Sequence, residues 1–293
     1  MKKFFPIGAV ILGWWTAAFF IFVILAFHIY ASIPTSEMIK GCLTTKMHKV
    51  NLCPQSKNYT SLKSISSNVR NAIIISEDGN FYSHNGFDFE EMKESFKENL
   101  LKKTFKRGGS TITQQLAKNM FLSSEKTIIR KLKEALITIK IESTLSKNEI
   151  IERYLNLVEF GENLYGIKAA SQFYFKKTPD QLSVLESSFL ALLLPNPKKN
   201  SASFRKRVLT PYARQRIRQT VERMFLLGRI DFESYTLAKL NMGSFPWDGE
   251  LVQNMPAAPV DDSGELTQPE IEDETPDESF TPEDEAEYSD DYI

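Results

Sequence analysis

The sequence predicts a mainly α-helical domain that follows one membrane-spanning helix and precedes an acidic tail. Three observations support this order: an uncharged apolar run near the start, repeated helix-start signals in the middle, and a final segment without Lys or Arg. With 293 residues and 42% hydrophobic content, the chain can bury a substantial core.

The apolar run covers residues 4–33 and contains no Asp, Glu, Lys or Arg. A helix needs about 20 residues to cross a bilayer, whereas a cleaved signal peptide has a shorter apolar region and a small-residue cleavage site. We therefore expect a retained signal anchor over residues 4–33. Lys2 and Lys3 precede it, so residues 1–3 are expected in the cytoplasm and the remaining chain outside.

Residues 34–64 are polar and mixed, which predicts a juxtamembrane connector. This segment holds both cysteines of the chain, Cys42 and Cys53. Outside the cytoplasm they could form a disulfide, and two free thiols are the alternative. Two thiols and three scattered histidines do not make a zinc site.

Helix-start signals recur over residues 65–245, which predicts that this range is the main folded domain. Serine or threonine begins four helices, and Gln or Glu three residues later completes a capping box in three of them. These starts are Thr111 with Gln114, Ser124, Ser146 with Glu149, and Ser183 with Glu186. Pro195 must end the fourth helix, and a last helix is expected from Pro211 to about Leu227. No segment alternates cleanly with period two, so strands are not expected.

Charge is divided unevenly along the chain. Residues 256–293 contain 15 acids and no bases, so residues 246–293 predict an acidic, disordered tail. The preceding 255 residues hold all 36 bases and the other 22 acids, a net charge of +14. Such a surplus attracts nucleic acid, anionic lipid or pyrophosphate, and the membrane span favours the latter two.

Two adjacent carboxylates, Glu77 and Asp78, directly follow the apolar run Ile73–Ile75. Partial desolvation there would raise the pKa of a carboxyl group and suit it to proton transfer near neutral pH. The alternative is a solvated helix end.

A glycine pair precedes the helix that begins after Thr111. Gly108 and Gly109 allow close backbone approach, and free amides at a helix start can bind an anion such as pyrophosphate, with Lys118 adding charge. The Gly-Lys-Ser/Thr ending of an ATP-binding loop is missing. A plain helix cap is the alternative.

The third motif is Arg130-Lys131-x-x-Glu134, in which Arg130 and Glu134 share a helix face. Taken alone, this is an ordinary surface ion pair.

In this order and spacing, the motifs resemble the peptidoglycan glycosyltransferase family, found alone in monofunctional transglycosylases and fused to a transpeptidase in class A penicillin-binding proteins. The resemblance covers about residues 65–230. The matching positions are Glu77, Asp78, Phe81, His84 and Gly86; Gly108, Gly109, Ser110, Thr111, Gln114, Gln115 and Lys118; Arg130, Lys131 and Glu134; and Tyr154, Leu155 and Asn156. Glu159 departs from the pattern, where an aromatic residue is expected before Phe160.

The resemblance implies a lysozyme-like helical fold with a small membrane-proximal jaw lobe. Glu77 would be the catalytic base that activates the acceptor hydroxyl of lipid II, and Glu134 the second catalytic carboxylate. Undecaprenyl pyrophosphate would leave with inversion to give a β-1,4 linkage, without transpeptidase activity. The implied substrate-binding residues are Asp78, Phe81, His84, Gly109, Ser110, Thr111, Gln114, Gln115, Lys118, Arg130, Lys131 and Asn156.

The resemblance also implies the partners and location. No organic cofactor is expected, although Glu134 could hold a divalent metal, Mg²⁺ or Mn²⁺, on the pyrophosphate. The expected partners are lipid II, the lipid-linked glycan chain, the membrane and proteins of cell-wall synthesis or division, but not nucleic acid. The enzyme would sit in the bacterial inner membrane with its catalytic domain on the periplasmic or extracellular side.

Two other functions fit parts of the sequence. A glycan-cleaving muramidase or lytic transglycosylase would share a helical fold and a key Glu, but it would not need an anion site at Gly108–Lys118. A non-catalytic division scaffold recruited through the tail would not need both Glu77 and Glu134.

Overall fold

The computed structural model describes residues 7–102 and 109–248. Lys2, Lys3, the motif residue Gly108 and all but the first three residues of the predicted acidic tail lie outside these ranges. Within the described ranges the chain forms mostly α-helices with two small antiparallel hairpins, which confirms the predicted helical class.

The elements follow one another in chain order with short connections. The helices are α1 (Ile7–Ala31), α2 (Ser36–Lys40), α3 (Ser67–Glu77), α4 (Phe89–Lys102), α5 (Ile112–Phe121), α6 (Ile128–Glu142), α7 (Lys147–Leu157), α8 (Ile167–Phe175), α9 (Val184–Leu193), α10 (Pro197–Asn200), α11 (Ala202–Lys206), α12 (Pro211–Leu226) and α13 (Phe232–Asn241). The strands are β1 (Leu43–Thr44), β2 (Asn51–Leu52), β3 (Glu159–Gly161) and β4 (Leu164–Tyr165).

Helix α1 has the length and composition of a membrane span. Its 25 residues rise about 37 Å at 1.5 Å per residue, which exceeds the ~30 Å hydrocarbon core of a bilayer. The apolar stretch that begins at Trp14 buries nothing against the rest of the protein. This one apolar helix fits a single-pass anchor.

The core of the helical domain is built around α9, in which all ten residues are buried. Helices α3 and α12 pack against α9 and against each other, and α5 packs against α6 and α7. The three predicted capping boxes, at Thr111, Ser146 and Ser183, are present. Helix α9 ends at Leu193, just before Pro195, as expected.

Two details of α6 differ from expectation. Its N-cap is Thr127, not Ser124, because the Thr127 hydroxyl accepts the bond from the Arg130 amide. The apolar residues Ile128, Leu132, Leu136 and Ile139 recur at spacings of four and three, which predicts the helix, but Ile128, Leu132 and Ile139 are exposed. The helix instead buries Glu134, Ile137, Thr138 and Ile141.

The two hairpins were not expected. Their strands are two or three residues long, too short to show period-two alternation. Strand β1 pairs with β2 through Leu43 and Leu52. Beside this pair, a disulfide joins Cys42 and Cys53, whose Cα atoms lie 4.1 Å apart.

The connector between α1 and α3 is bonded to the side of α7. The Asn156 side chain accepts a bond from the Thr60 amide at 2.7 Å and donates to the Thr60 carbonyl at 2.8 Å. Glu152 accepts bonds from the Tyr59 hydroxyl at 2.8 Å and the Leu62 amide at 2.7 Å. Part of the connector is therefore held against the catalytic domain.

Candidate active site

Glu77 is the last residue of α3, and Ser76 separates it from the buried isoleucines that fix this helix in the core. Gln115 on α5 donates from Nε2 to Glu77 Oε2 at 2.9 Å. The Gln115 carbonyl oxygen accepts a bond from the Tyr154 hydroxyl on α7, also at 2.9 Å. Tyr154 therefore turns the Gln115 amide so that its N–H group faces the carboxylate. Among the described residues, Glu77 Oε1 has no hydrogen-bond partner, so this oxygen can meet a substrate proton.

Burial raises the pKa of Glu77, and the neighbouring Asp78 carboxylate raises it further. The hydrogen bond from Gln115 and the charge of Arg216 act in the opposite direction, but the pKa stays above its usual value. Glu77 is only partly exposed. A raised pKa in a site that substrate can reach is what a general base needs near neutral pH.

Asp78 connects the catalytic loop to the start of α5. It accepts bonds from the Ile112 amide at 2.9 Å and from His84 Nε2 at 2.8 Å. His84 Nδ1 accepts from the Gly86 amide at 3.1 Å, which leaves the proton on Nε2. A side chain at Gly86 would lie 2.7 Å from Thr138, and φ there is +88°, so this motif position requires glycine.

The amides at the start of α5 are used within the protein. The Thr111 amide donates to the Gln114 side chain, and the Gln114 amide donates to the Thr111 hydroxyl. The Ile112 amide is taken by Asp78, and the Thr111 hydroxyl donates to the Gly86 carbonyl at 2.7 Å. The amides of Thr111, Ile112 and Gln114 are therefore occupied within the protein, and pyrophosphate binding by the remaining amides of this segment stays a prediction. Thr111 and Gln114 are buried and hold the loop in place.

A cationic cluster occupies the next two helices. Glu134 is 2% exposed, and it pairs with Arg130 Nη1 at 2.5 Å and with Lys131. Burial lowers the pKa of Lys118; Glu134 opposes this shift, whereas Arg130 and Lys131 add to it. Three cations and one carboxylate leave a net charge of +2, which suits a diphosphate.

Ser110 and Gly109 lie at the edge of this cluster. Lys131 Nζ is 3.5 Å from the Ser110 hydroxyl. A side chain at Gly109 would touch Met92 of α4 at 3.4 Å. These two motif residues therefore bring the loop before α5 close to both α4 and α6.

Glu134 is poorly suited to hold a divalent metal. Both of its carboxylate oxygens are paired with cations, Oε2 with Arg130 and Oε1 with Lys131. A metal there would add positive charge to an already cationic cluster. The expectation of a metal on Glu134 does not fit this arrangement.

A candidate metal-binding group lies elsewhere. Asp78, His84 and Asp88 each offer one possible ligand atom, and these three atoms lie within 4.8 Å of one another. Asp78 is engaged as described above, and Asp88 accepts bonds from Asn80 at 2.8 Å and the Glu91 amide at 2.9 Å. These bonds account for the geometry without a metal.

Two expected substrate-binding residues are part of the core. The Phe81 ring is fully buried, and Lys147 Nζ lies 4.5 Å from its centre. Asn156 is buried and holds Thr60. Neither side chain is placed to touch a substrate, because packing and the connector occupy them.

Sequence reasoning missed Arg216 and Arg223. Both lie on α12, which carries four arginines, and both line a cleft beside the end of α3. The four arginines of α12 were the feature of the sequence that could have pointed to these two residues. Motif spacing alone did not show that this helix faces Glu77.

Comparison with known proteins places these motifs in a family. A model of the family described as "Transglycosylase" matches residues 44–225. The chain is 42% identical over 165 residues to a biosynthetic peptidoglycan transglycosylase of Nitrosomonas eutropha, covering 56% of this chain and 67% of that protein. It is 38% identical over 226 residues to the same-named protein of Paraburkholderia xenovorans, covering 76% and 92%. A third, from Paraburkholderia phytofirmans, is 38% identical over 220 residues, covering 74% and 90%.

Proposed function

The chain belongs to the transglycosylase family, and on that premise we propose how its residues divide the work of the reaction. It is a peptidoglycan glycosyltransferase that polymerises glycan chains of the cell wall. The observation that supports the division best is that Glu77 has a raised pKa and a fixed orientation, while a cluster of net charge +2 lies on α5 and α6.

Glu77 acts as the general base. Its carboxylate removes the proton from the 4-hydroxyl of the acceptor sugar of lipid II. The hydroxyl oxygen then bonds to the anomeric carbon of the donor, and the bond between that carbon and the diphosphate oxygen breaks. The product is a β-1,4 linkage with inverted configuration, and undecaprenyl pyrophosphate leaves.

Lys118, Arg130 and Lys131 stabilise the leaving diphosphate, on which negative charge grows in the transition state. Glu134 keeps these cations together and sets their orientation. No step requires a metal on Glu134.

The other motif residues support this centre. Gln115 orients Glu77, and Asp78 and His84 hold the loop that follows it. Gly109 and Ser110 bring that part of the chain to the cationic cluster. Thr111, Gln114, Phe81 and Asn156 act through the fold and not by touching substrate.

We propose that α1 anchors the enzyme in a bacterial inner membrane, with residues 65–245 as the catalytic domain on the periplasmic or extracellular side. The Cys42–Cys53 disulfide suits an oxidising compartment. Apolar side chains of α4 and α6 are exposed and would enter the lipid surface, where the substrate resides. They are Phe89, Met92, Phe96, Leu100, Ile128, Ile129 and Leu132. Cell-wall synthesis or division proteins remain proposed partners.

The test is polymerisation of labelled lipid II by the purified full-length protein. We expect Glu77→Gln to reduce turnover by roughly 10²–10⁴-fold, the usual contribution of a general base. Glu134→Gln should also reduce turnover, because the cations lose their common partner. The matched control is Glu162→Gln, since that side chain is exposed and, among the described residues, pairs only with Lys198 at 3.5 Å.

Two results would contradict the proposal. Full activity of Glu77→Gln would remove its assignment as base. Release of soluble fragments from intact cell walls, with no polymer from lipid II, would instead support a glycan-cleaving enzyme.

A further inference from the structure

A cleft of about 170 Å³ lies between the end of α3 and one face of α12. Ile75 and Ser76, directly before Glu77, form the α3 side. Arg216, Gln219 and Arg223 lie on the α12 side. This cleft is separate from the cationic cluster, whose residues lie on α5 and α6.

Within the described part of the chain, the two arginines that line this cleft form no salt bridge with an acidic side chain. Arg216 and Arg223 are seven residues apart, so they lie on the same face of α12 two turns apart. Both are exposed, and within residues 7–102 and 109–248 neither forms an ion pair. Arg216 donates only to Gln219 Oε1, at 3.3 Å. Glu222, the one acid that lines the cleft, already interacts within the protein.

The Arg223 guanidinium group reaches the loop that follows Glu77. A side chain at Gly79, two residues after Glu77, would lie 3.4 Å from Arg223 Nη2. Arg216 lines the same cleft beside Ile75 and Ser76, and its positive charge lowers the pKa of Glu77. A molecule whose anionic group is held by these arginines could therefore place another of its groups at Glu77.

We propose that this arginine cleft, formed by Ser76, Arg216, Gln219 and Arg223, binds an anionic group of the acceptor substrate. The inference rests on the proposed function, in which the donor diphosphate occupies the cluster of Lys118, Arg130 and Lys131. The acceptor must present its hydroxyl to Glu77, and its own anions need a second set of cations. Guanidinium groups bind carboxylates and phosphates in a paired geometry. The anion is either the acceptor's diphosphate or a carboxylate of its peptide.

The first experiment measures acceptor KM with the full-length protein. A labelled lipid-linked donor, blocked at its own 4-hydroxyl, is kept saturating while unlabelled lipid II is varied. We expect Arg223→Gln to raise the acceptor KM about ten-fold, typical of losing one charged hydrogen-bond partner. The kcat and the donor KM should stay within about two-fold of wild type.

The controls separate this role from others. Arg214→Gln changes an exposed arginine of α12 outside the cleft and should leave every constant unchanged. Arg216→Gln should raise the acceptor KM as well, and it should also move the acid limb of the pH profile because Arg216 acts on Glu77. Arg223→Gln should leave that limb in place.

A second experiment identifies the anion. One acceptor keeps its diphosphate but has amidated peptide carboxylates, and the other keeps the carboxylates but has a neutral group in place of the diphosphate. If wild type and Arg223→Gln have the same KM for one of the modified acceptors, the group missing from that acceptor is the one that the cleft binds.

The subsite is overturned if both arginine variants keep the wild-type acceptor KM, or if the penalty persists with both modified acceptors. The Glu77→Gln variant distinguishes failure of the acceptor subsite from failure of the proposed function. If that variant is inactive while Arg223→Gln behaves as wild type, only the subsite fails. If Glu77→Gln retains full activity, the proposed function itself fails.

Discussion

At the scale of single residues, the protonation of Glu77 depends on one amide. Gln115 is held by Tyr154 so that it can only donate to the carboxylate. A donated bond favours the charged carboxylate and lowers the pKa that burial has raised. The base is thereby kept strong enough to accept a proton while remaining ionised in a larger share of molecules.

Removing this bond gives a prediction with a definite sign. In Gln115→Met the pKa of Glu77 should rise, so the protonated, inactive form extends to higher pH. The acid limb of kcat/KM should move to higher pH, and activity at pH 6 relative to pH 8 should fall roughly three- to ten-fold. Tyr154→Phe should shift the limb in the same direction but less, because Gln115 is then only less well oriented. Superimposable pH profiles would show that Gln115 does not tune the base.

The sequence located Glu77, Glu134, Lys118 and Arg130 as candidates, but the partners of each side chain depend on packing. Thr111 and Gln114 are motif residues, yet they bond to each other and to the loop. A motif does not distinguish a residue that touches substrate from one that holds its neighbour. For the same reason it did not reveal that Asp78 takes the Ile112 amide.

At the scale of elements, the site depends on how α5 begins. Asp78 is a carboxylate from another segment placed at the N-terminus of this helix, where a negative charge is favourable. It also accepts the bond from His84. One side chain therefore joins the end of α3, the loop after it and the start of α5.

We expect Asp78→Ala to lower the free energy of unfolding by about 2–4 kcal/mol, since it leaves two buried donors without partners. Chemical denaturation of the full-length protein in detergent measures this. Asp180→Ala, at an exposed acid, should leave stability unchanged. A change below about 0.5 kcal/mol in Asp78→Ala would mean that water replaces the carboxylate.

Local sequence signals predicted the starts of some helices correctly and misplaced or missed others. Capping boxes give the starts of α5, α7 and α9 because the box is itself the local structure. The start of α6 was misplaced because Ser124 and Thr127 are both suitable caps, and only the fold selects between them. Helix α13 was not identified separately, since its apolar pattern is weak.

At the scale of the whole molecule, the distribution of exposed apolar residues indicates how the enzyme meets its substrate. Helix α1 exposes large apolar side chains from Trp14 to Ile24 and again at Phe27 and Tyr30, and α4 and α6 expose apolar faces on the catalytic domain. The sequence indicated the first of these by the length and uncharged, apolar composition of residues 4–33. It could not indicate the other two, because an amphipathic helix has the same pattern whether its apolar face meets the core or lipid.

The exposed face of α4 gives a prediction about the membrane. Phe96 is 69% exposed, so Phe96→Ser should leave thermal stability unchanged. Loss of one aromatic contact with lipid should weaken turnover of lipid II in vesicles by roughly ten-fold, with little effect in detergent. Leu240→Ser on α13 is the control. Equal activity of Phe96→Ser in vesicles and detergent would show that α4 does not enter the lipid surface.

The bonded connector has a further consequence. Glu152 and Asn156 hold the chain from Tyr59 to Leu62 on α7, and Ile39 and Leu52 nearer the span are buried. With α1 as the proposed membrane anchor, only a few residues separate it from the bonded connector, so folding would set the height of Glu77 above the bilayer. A sugar carried on a lipid reaches a limited distance from the surface, and an enzyme held at fixed height can select substrates by the length of their headgroups.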